Sequence, residues 1–442
     1  MTYHRDHHTF GLVYMDRIWC NKQRYRMKLG FQHIKYILGF AFLMGFQIGS
    51  ANTWTVCGTC ENSSIKETIL RAAPHDTLLI EKGTYKEFEL LVDKPLVIKG
   101  IGYPIVDGER KGEIFRVISD NVTLDGLFLI NVGVSYTKDN AAIRVVKSKN
   151  FQIQNMVLEQ LFFGIYLEKS SHGKVYHNRI IGNAVDEYNS GNGIQLWYSS
   201  DIDVRKNHVQ GTRDGIYLEF SDRITITDNV SMDNLRYGLH FMFSNHDIYS
   251  NNTFENNGAG VAVMFSKFIT MKNNTFRKNW GTAAYGMLLK EINDAEISGN
   301  TFEENTIGIN IEGSNRIKYL NNDFINNGWA IRVIGACYTN SFKGNNFLYN
   351  SFDISYNSKL NDNVFEGNFW SSYTGYDLDM DGIGDVPYRP VKLFSYVVNR
   401  TPETIVLLRS LFMDIIDFSE RVSPVFTPDN LKDAQPLMKK RS

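Results

Sequence analysis

The sequence predicts an all-β chain, a right-handed single-stranded parallel β-helix with a C-terminal helical tail. Two observations predict it. Two short templates alternate along the chain and return about every 22–23 residues, inside the roughly 20–50-residue range of solenoid repeats. Within each template apolar residues recur with period two, and helical spacing is absent. Handedness follows from the general preference of parallel crossovers. The formal net charge is −1 over 442 residues, so there is no global basic field to hold nucleic acid.

Residues 1–51 read as a pre-sequence and signal peptide. Lys28 and Lys35 flank the start of an apolar run from Tyr36 to Ile48, which ends in Gly49-Ser50-Ala51. That is a charged region, an apolar region and a small-residue cleavage site. The run is short for a membrane span, which needs roughly 20 apolar residues. The polar stretch before it places the natural start at Met27. An uncleaved anchor is the alternative.

Residues 52–370 carry the solenoid. Ser64 to Leu70 reads as a short helix capping its N-terminal end, since end coils expose strand edges and core. The first template is Asn-x-apolar-x-x-Asn, as in Asn252-x-Phe254-x-x-Asn257, Asn274-x-Phe276-x-x-Asn279 and Asn363-x-Phe365-x-x-Asn368. Its Asn residues fall at corners, where Asn tolerates left-handed backbone, and they can stack as a hydrogen-bonded ladder. Phe254, Phe276, Phe302, Phe324, Phe347 and Phe365 are expected to form one interior stack. The second template is Gly-apolar-x-apolar-x-x-Ser, as in Gly238-Leu239-His240-Phe241-Met242-Phe243-Ser244. Its Gly is expected to supply a backbone angle that other residues resist.

Residues 371–442 leave the repeat as an acidic loop and a helical tail. An apolar helix is expected from Pro402 to Arg421, with Leu408, Phe412 and Ile415 on its stripe. It reads either as a cap on the last coil or as a docking element, and both can hold.

Strand alternation places Tyr166, Gln195, Tyr217, His240, Ala262 and Asn310 in one outward column, with Glu168, Trp197, Glu219, Met242, Met264 and Glu312 in the next. His240, Met242 and Met264 then converge on one exposed patch. Thioethers and imidazole suit Cu(I) better than Mg²⁺ or Ca²⁺; Met is also a good partner-docking residue. Cys57-Gly58-Thr59-Cys60 is a local disulfide or a transient thiol pair outside the cytoplasm, and a CxxC can also bind a soft metal or exchange disulfides. Asp377, Asp379, Asp381 and Asp385, with Gly382, mimic the first part of a calcium loop, although Tyr388 stands where the closing Glu would be. An Asx-rich turn without metal is the alternative.

Asp76 to Ile80, Gly83-Thr84-Tyr85, Leu96 to Gly100 and Asp107-Gly108 resemble the opening of the carbohydrate-binding and sugar-hydrolase β-helix group, whose solenoids are pectate-lyase-like. Tyr237 to Ser244, Gly260 to Ser266, Tyr285 to Glu291 and Gly375 to Pro390 resemble the NosD family in order along the chain. That resemblance implies a periplasmic accessory protein for maturing the copper sites of nitrous oxide reductase. It implies an ABC-type ATPase and permease as partners, with a copper chaperone as a further one. The competing class is a secreted polysaccharide lyase, hydrolase or epimerase. Tyr166, Trp197, Tyr217 and Glu219 could orient sugars, and Asp186, Asp203 and Asp214 are available carboxylates. The sequence offers no tight pair of acids of the kind glycosidases use, so the chain is read as a docking protein and not an enzyme.

Overall fold

The computed structural model describes residues 51–135, 137–281, 284–357, 362–407, 410–422 and 431–441. The expected signal, Met27 included, lies outside the described residues. From Thr53 to Trp370 the chain is a right-handed parallel β-solenoid of about 14 turns. Every strand pairs in parallel with the strand one coil away, and the pairs build three sheets of 14, 13 and 12 strands. In chain order each coil passes through the first sheet (Ile248–Ser250, for example), the second (Thr253–Glu255) and the third (Ala259–Met264). The sequence templates account for the second and third sheets only. First-sheet strands are mostly three residues with one inward apolar side chain, such as Ile226, Tyr249 or Met271. Second-sheet strands are as short, but a recurrent Phe between two asparagines marks them, whereas the inward residue of the first sheet changes from coil to coil.

The N-terminal cap is helix α1, Ile65–Arg71, which buries Ile65, Thr68 and Ile69. The Ser64 hydroxyl accepts from the Glu67 amide, and the Glu87 carboxylate takes the amides of Ile65 and Lys66 at 2.8 Å. Free N–H groups at a helix start are thereby satisfied by side chains.

Asparagine ladders run along the interior corners. Asn252 Nδ2 donates to Asn274 Oδ1 at 2.9 Å, Asn274 to Asn300 at 3.0 Å and Asn300 to Asn322 at 3.0 Å. The ladder residues themselves are not left-handed. The residue before each one is: Asn251, Asn273 and Asn321 have φ of 57°, 54° and 53°. The glycines that open the third-sheet strands from Gly164 to Gly308 are required by space, not by angle. A Cβ on Gly238 would lie 2.7 Å from the Gly260 carbonyl oxygen and 2.9 Å from the Phe254 ring.

Phe254, Phe276, Phe302, Phe324 and Phe347 stack inside the second sheet, with ring centroids 4.7–5.4 Å apart. Trp370 continues that stack, 4.0 Å from Phe347. Phe365 belongs to a different column. It lies in the first sheet, 4.6 Å from Phe342, because Asn368 rather than Asn363 continues the ladder from Asn345.

The expected helix from Pro402 to Arg421 is broken and is preceded by another. Helix α2 spans Leu393–Arg400, a 3₁₀ turn spans Pro402–Leu407, and helix α3 spans Leu411–Val422. Pro402 disfavours helical backbone at Thr401 and ends α2 there. Met413 of α3 packs with Phe394 and Val398 of α2 and with Phe352 of the last third-sheet strand. The chain then returns. Asp433 pairs with Phe365 and Tyr388, and Leu437 with Phe369 and Ile383. Among the described residues no helix is long and apolar enough to cross a membrane.

Candidate functional site

The outer face of the third sheet carries the expected His and Met residues. The pairing register sets Tyr166, Gln195, Tyr217, His240 and Ala262 in successive coils of one column. The next column holds Glu168, Trp197, Glu219, Met242 and Met264, and Lys290 and Glu312 extend it. Met242 and Met264 are therefore direct cross-strand partners, both half-buried.

His240 departs from expectation. It is not exposed; only 6% of it is accessible. Tyr217 from the preceding coil meets its ring edge-to-face at 5.0 Å, and Tyr237 tilts over it at 4.7 Å. Sequence alternation gave its direction correctly, but alternation carries no information about neighbours tall enough to cover a side chain. Neither ring nitrogen of His240 has a hydrogen-bond partner. Nδ1 lies 3.6 Å from Asp214 Oδ2 and faces it at the edge of hydrogen-bond range, while Nε2 is buried with no partner at all among the described residues. A buried polar atom of that kind calls for a ligand, water or functional explanation.

Asp214 is itself fully buried. Arg236 grips it with two bonds, Nε to Oδ1 at 2.9 Å and Nη2 to Oδ2 at 2.6 Å. Burial pushes the Asp214 carboxyl up, but the neighbouring His240 and Arg236 outweigh it and hold the group below the usual carboxylate range. Burial, with Glu219 beside it, raises the Tyr217 phenol. Sequence spacing alone does not single out Arg236 and Tyr237. The signal was present in the register, since Asp214-Gly215 and Tyr237-Gly238 open consecutive third-sheet strands.

Beside the Met column runs an exposed aromatic row. Tyr198, Phe220, Phe243 and Phe265 stack with centroids 4.7, 5.1 and 5.1 Å apart. Each sits in the left-handed region, at φ of 50° to 53°, a conformation disfavoured for bulky side chains. The groups on this face are thus a buried imidazole, two half-buried thioethers and flanking aromatics, donor types that fit a soft cation better than a hard one.

The other expected sites lie elsewhere. Cys57 and Cys60 form a disulfide in the N-terminal cap, and Cys337 is buried. Carboxylate oxygens of Asp377, Asp379 and Asp381 lie within 4.8 Å of one another. The Asp381 charge, and burial after it, raise the Asp379 pKa. Asp385 is not brought to this group; its Oδ2 accepts from the Leu378 amide at 2.8 Å. Asp377 in turn accepts from the amides of Asp381 and Gly382. Leu408 lies outside the described residues. Phe412 and Ile415 of α3 are exposed by 51% and 55%, and Leu411 and Phe418 join them. Met413 and Ile416 face inward, so α3 is both a cap and an exposed apolar face.

A family model described as "Periplasmic copper-binding protein (NosD)" matches residues 176–375. A Pseudomonas aeruginosa protein named "Probable ABC transporter binding protein NosD" is 30% identical over 398 residues, covering 79% of this chain and 85% of the relative. A Stutzerimonas stutzeri protein of the same name is 26% identical over 400 residues, covering 79% and 84%. Both relatives are named as binding proteins and not as enzymes. Among solved structures, a family 28 exopolygalacturonase of Yersinia enterocolitica superposes with a TM-score of 0.57 at 11% identity, covering 72% of this chain and 78% of that one. At that identity the likeness is one of fold.

Proposed function

This chain belongs to the NosD family, and on that premise we propose that it is a periplasmic accessory protein that holds copper as cargo during maturation of nitrous oxide reductase. Its docking partners in this reading are an ABC-type ATPase and permease, the reductase, and a copper chaperone that loads it. The family description and the relatives' names support the copper and transporter parts. The observation that carries the reading is His240, buried on the outer sheet face with Nδ1 turned to Asp214 and Nε2 without a partner. It lies one column from the Met242–Met264 pair.

His240, Met242 and Met264 would hold the ion. Imidazole and thioethers stabilise Cu(I) without the permanence of thiolates, which suits a protein that must pass its cargo on. Asp214 stands on the Nδ1 side of His240, where metal-binding histidines commonly find an orienting carboxylate. The acidic loop enters only as a staple, since its carboxylates are hard donors that suit Ca²⁺. The exposed apolar face of α3, with Phe412 and Ile415, is the docking element for the permease.

Anaerobic Cu(I) titration of the purified chain tests the copper assignment. A variant carrying His240→Ala, Met242→Ala and Met264→Ala is expected to lose one bound copper per chain. Unchanged stoichiometry and affinity would remove the site from the proposal.

A further inference from the structure

We infer that the Cys57–Cys60 disulfide is a thiol–disulfide exchange site that accepts electrons from a dithiol partner, a role separate from the copper site. Four observations carry it. First, the bond closes a loop with a sequence separation of three. Loop-closure entropy grows with loop length, so this bridge constrains the unfolded chain less than a bridge across a long loop would.

Second, the cap is held by other groups. The Asp76 carboxylate takes the Asn52 amide at 2.7 Å, the Trp54 indole at 2.8 Å and the Ala73 amide at 2.8 Å. The Tyr85 hydroxyl ties down the Val56 and Glu81 carbonyls, and Val56, Ile65 and Ile69 are packed into the core.

Third, the turn keeps its own backbone bonds. The Cys57 amide donates to the Asn62 carbonyl at 3.1 Å, and the Cys60 amide to the Cys57 carbonyl at 3.2 Å. Arg71 holds the Asn62 side chain at 2.6 Å. Opening the sulfur bond therefore leaves the turn in place and the two thiols close enough to re-form it.

Fourth, the site is open on one side. Cys57 is 9% exposed and Cys60 is half-buried, while Gly58, Thr59 and Glu61 are exposed. A Cβ built on Gly58 meets nothing within 4 Å, so a partner's backbone can approach the turn.

The step balances as an ordinary exchange. A partner thiolate attacks the more accessible Cys60 sulfur. The S–S bond breaks, and Cys57 leaves as the thiolate and takes a proton. The partner's second thiolate then attacks its own sulfur in the mixed disulfide and releases Cys60, which is also protonated. Two electrons and two protons pass from the partner dithiol to the pair, and the partner becomes a disulfide.

The test treats the oxidised full chain with a reduced-glutathione buffer, quenches with a maleimide and reads the Cys57–Cys60 peptide by mass spectrometry. Peptide mapping separates this pair from Cys20 and Cys337. The pair is expected to convert to the dithiol in the folded protein, with a melting temperature within about 2 °C of the oxidised form. In single variants, Cys60 in C57S is expected to form a mixed disulfide with oxidised glutathione about tenfold faster than Cys57 in C60S. A pair that stays oxidised under these conditions would overturn the inference. So would a larger fall in melting temperature on reduction, which marks a structural staple, or equal reactivity of the two single variants. None of these readouts depends on copper.

Discussion

Asp247 is a carboxyl that the solenoid has closed over completely. Its Oδ1 accepts from the Ile224 amide at 2.7 Å and its Oδ2 from the Tyr249 hydroxyl at 3.0 Å. Burial pushes its pKa up to about 8, with Asp222 adding to the rise, against these two bonds and Arg223. The unfolded carboxyl ionises near its ordinary value of 3.8. Between those two values the folded state binds the extra proton, so stability falls as pH climbs through that window and is flat above it. Asp247→Asn keeps the acceptor for Ile224 and cannot ionise. It is expected to raise the melting temperature at pH 8 by ~2 °C or more while leaving it nearly unchanged at pH 4. Parallel pH slopes for the two proteins would show that Asp247 stays ionised inside the coil. At this scale the sequence was partly legible. The outward directions of His240, Met242 and Met264 followed from alternation, and their register is as expected. The burial of His240 was not, because it depends on the Tyr217 and Tyr237 rings leaning over it. Ring tilt is a product of packing between coils, not of spacing within one.

Among the elements, α3 shows what a stripe can and cannot say. Its apolar residues divide between two tasks, with Met413 and Ile416 turned to α2 and the last coil, and Leu411, Phe412, Ile415 and Phe418 left exposed. A contiguous exposed apolar face of this kind marks an interaction surface more often than an accident. Phe412→Asp with Ile415→Asp is expected to leave the thermal melt unchanged, since neither side chain is in the core. The same pair should abolish co-purification with the permease when the two are expressed together. Retained co-purification would place the docking surface elsewhere. The strands were more readable than the helices. Each Asn-x-Phe-x-x-Asn unit repeats many times and its errors average out, whereas α2 occurs once and carries no repeat. Even so, the last unit misled. Asn363-x-Phe365-x-x-Asn368 copies the spacing of the second sheet but occupies the first, because both sheets are entered through an asparagine corner.

The whole molecule is a stack whose stability is a sum over neighbouring coils, and its ends decide what it does in solution. At the C-terminal end Asp433 stands where the next asparagine would be. It accepts from the Asn368 amide at 3.0 Å, the Asn368 side chain at 2.9 Å, the Gly367 amide at 3.1 Å and the Trp370 indole at 3.1 Å. A carboxylate accepts but does not donate, so the ladder that passes a donated bond from coil to coil stops there. Removing residues 431–442 is expected to expose an unpaired edge. Light scattering should then show stronger concentration-dependent association than the intact chain does, and equal behaviour of the two proteins would contradict this.

The backbones of Tyr388 and Asp433 exchange two hydrogen bonds, at 2.9 and 2.8 Å, and α2 and α3 lie on the stretch of chain between those two residues. The helical module is thus a handle whose two attachment points are clamped to each other. The module also rests on the last coil, where Phe394, Val398 and Met413 cover Phe352, so a force applied to it would reach both the clamp and the end of the stack.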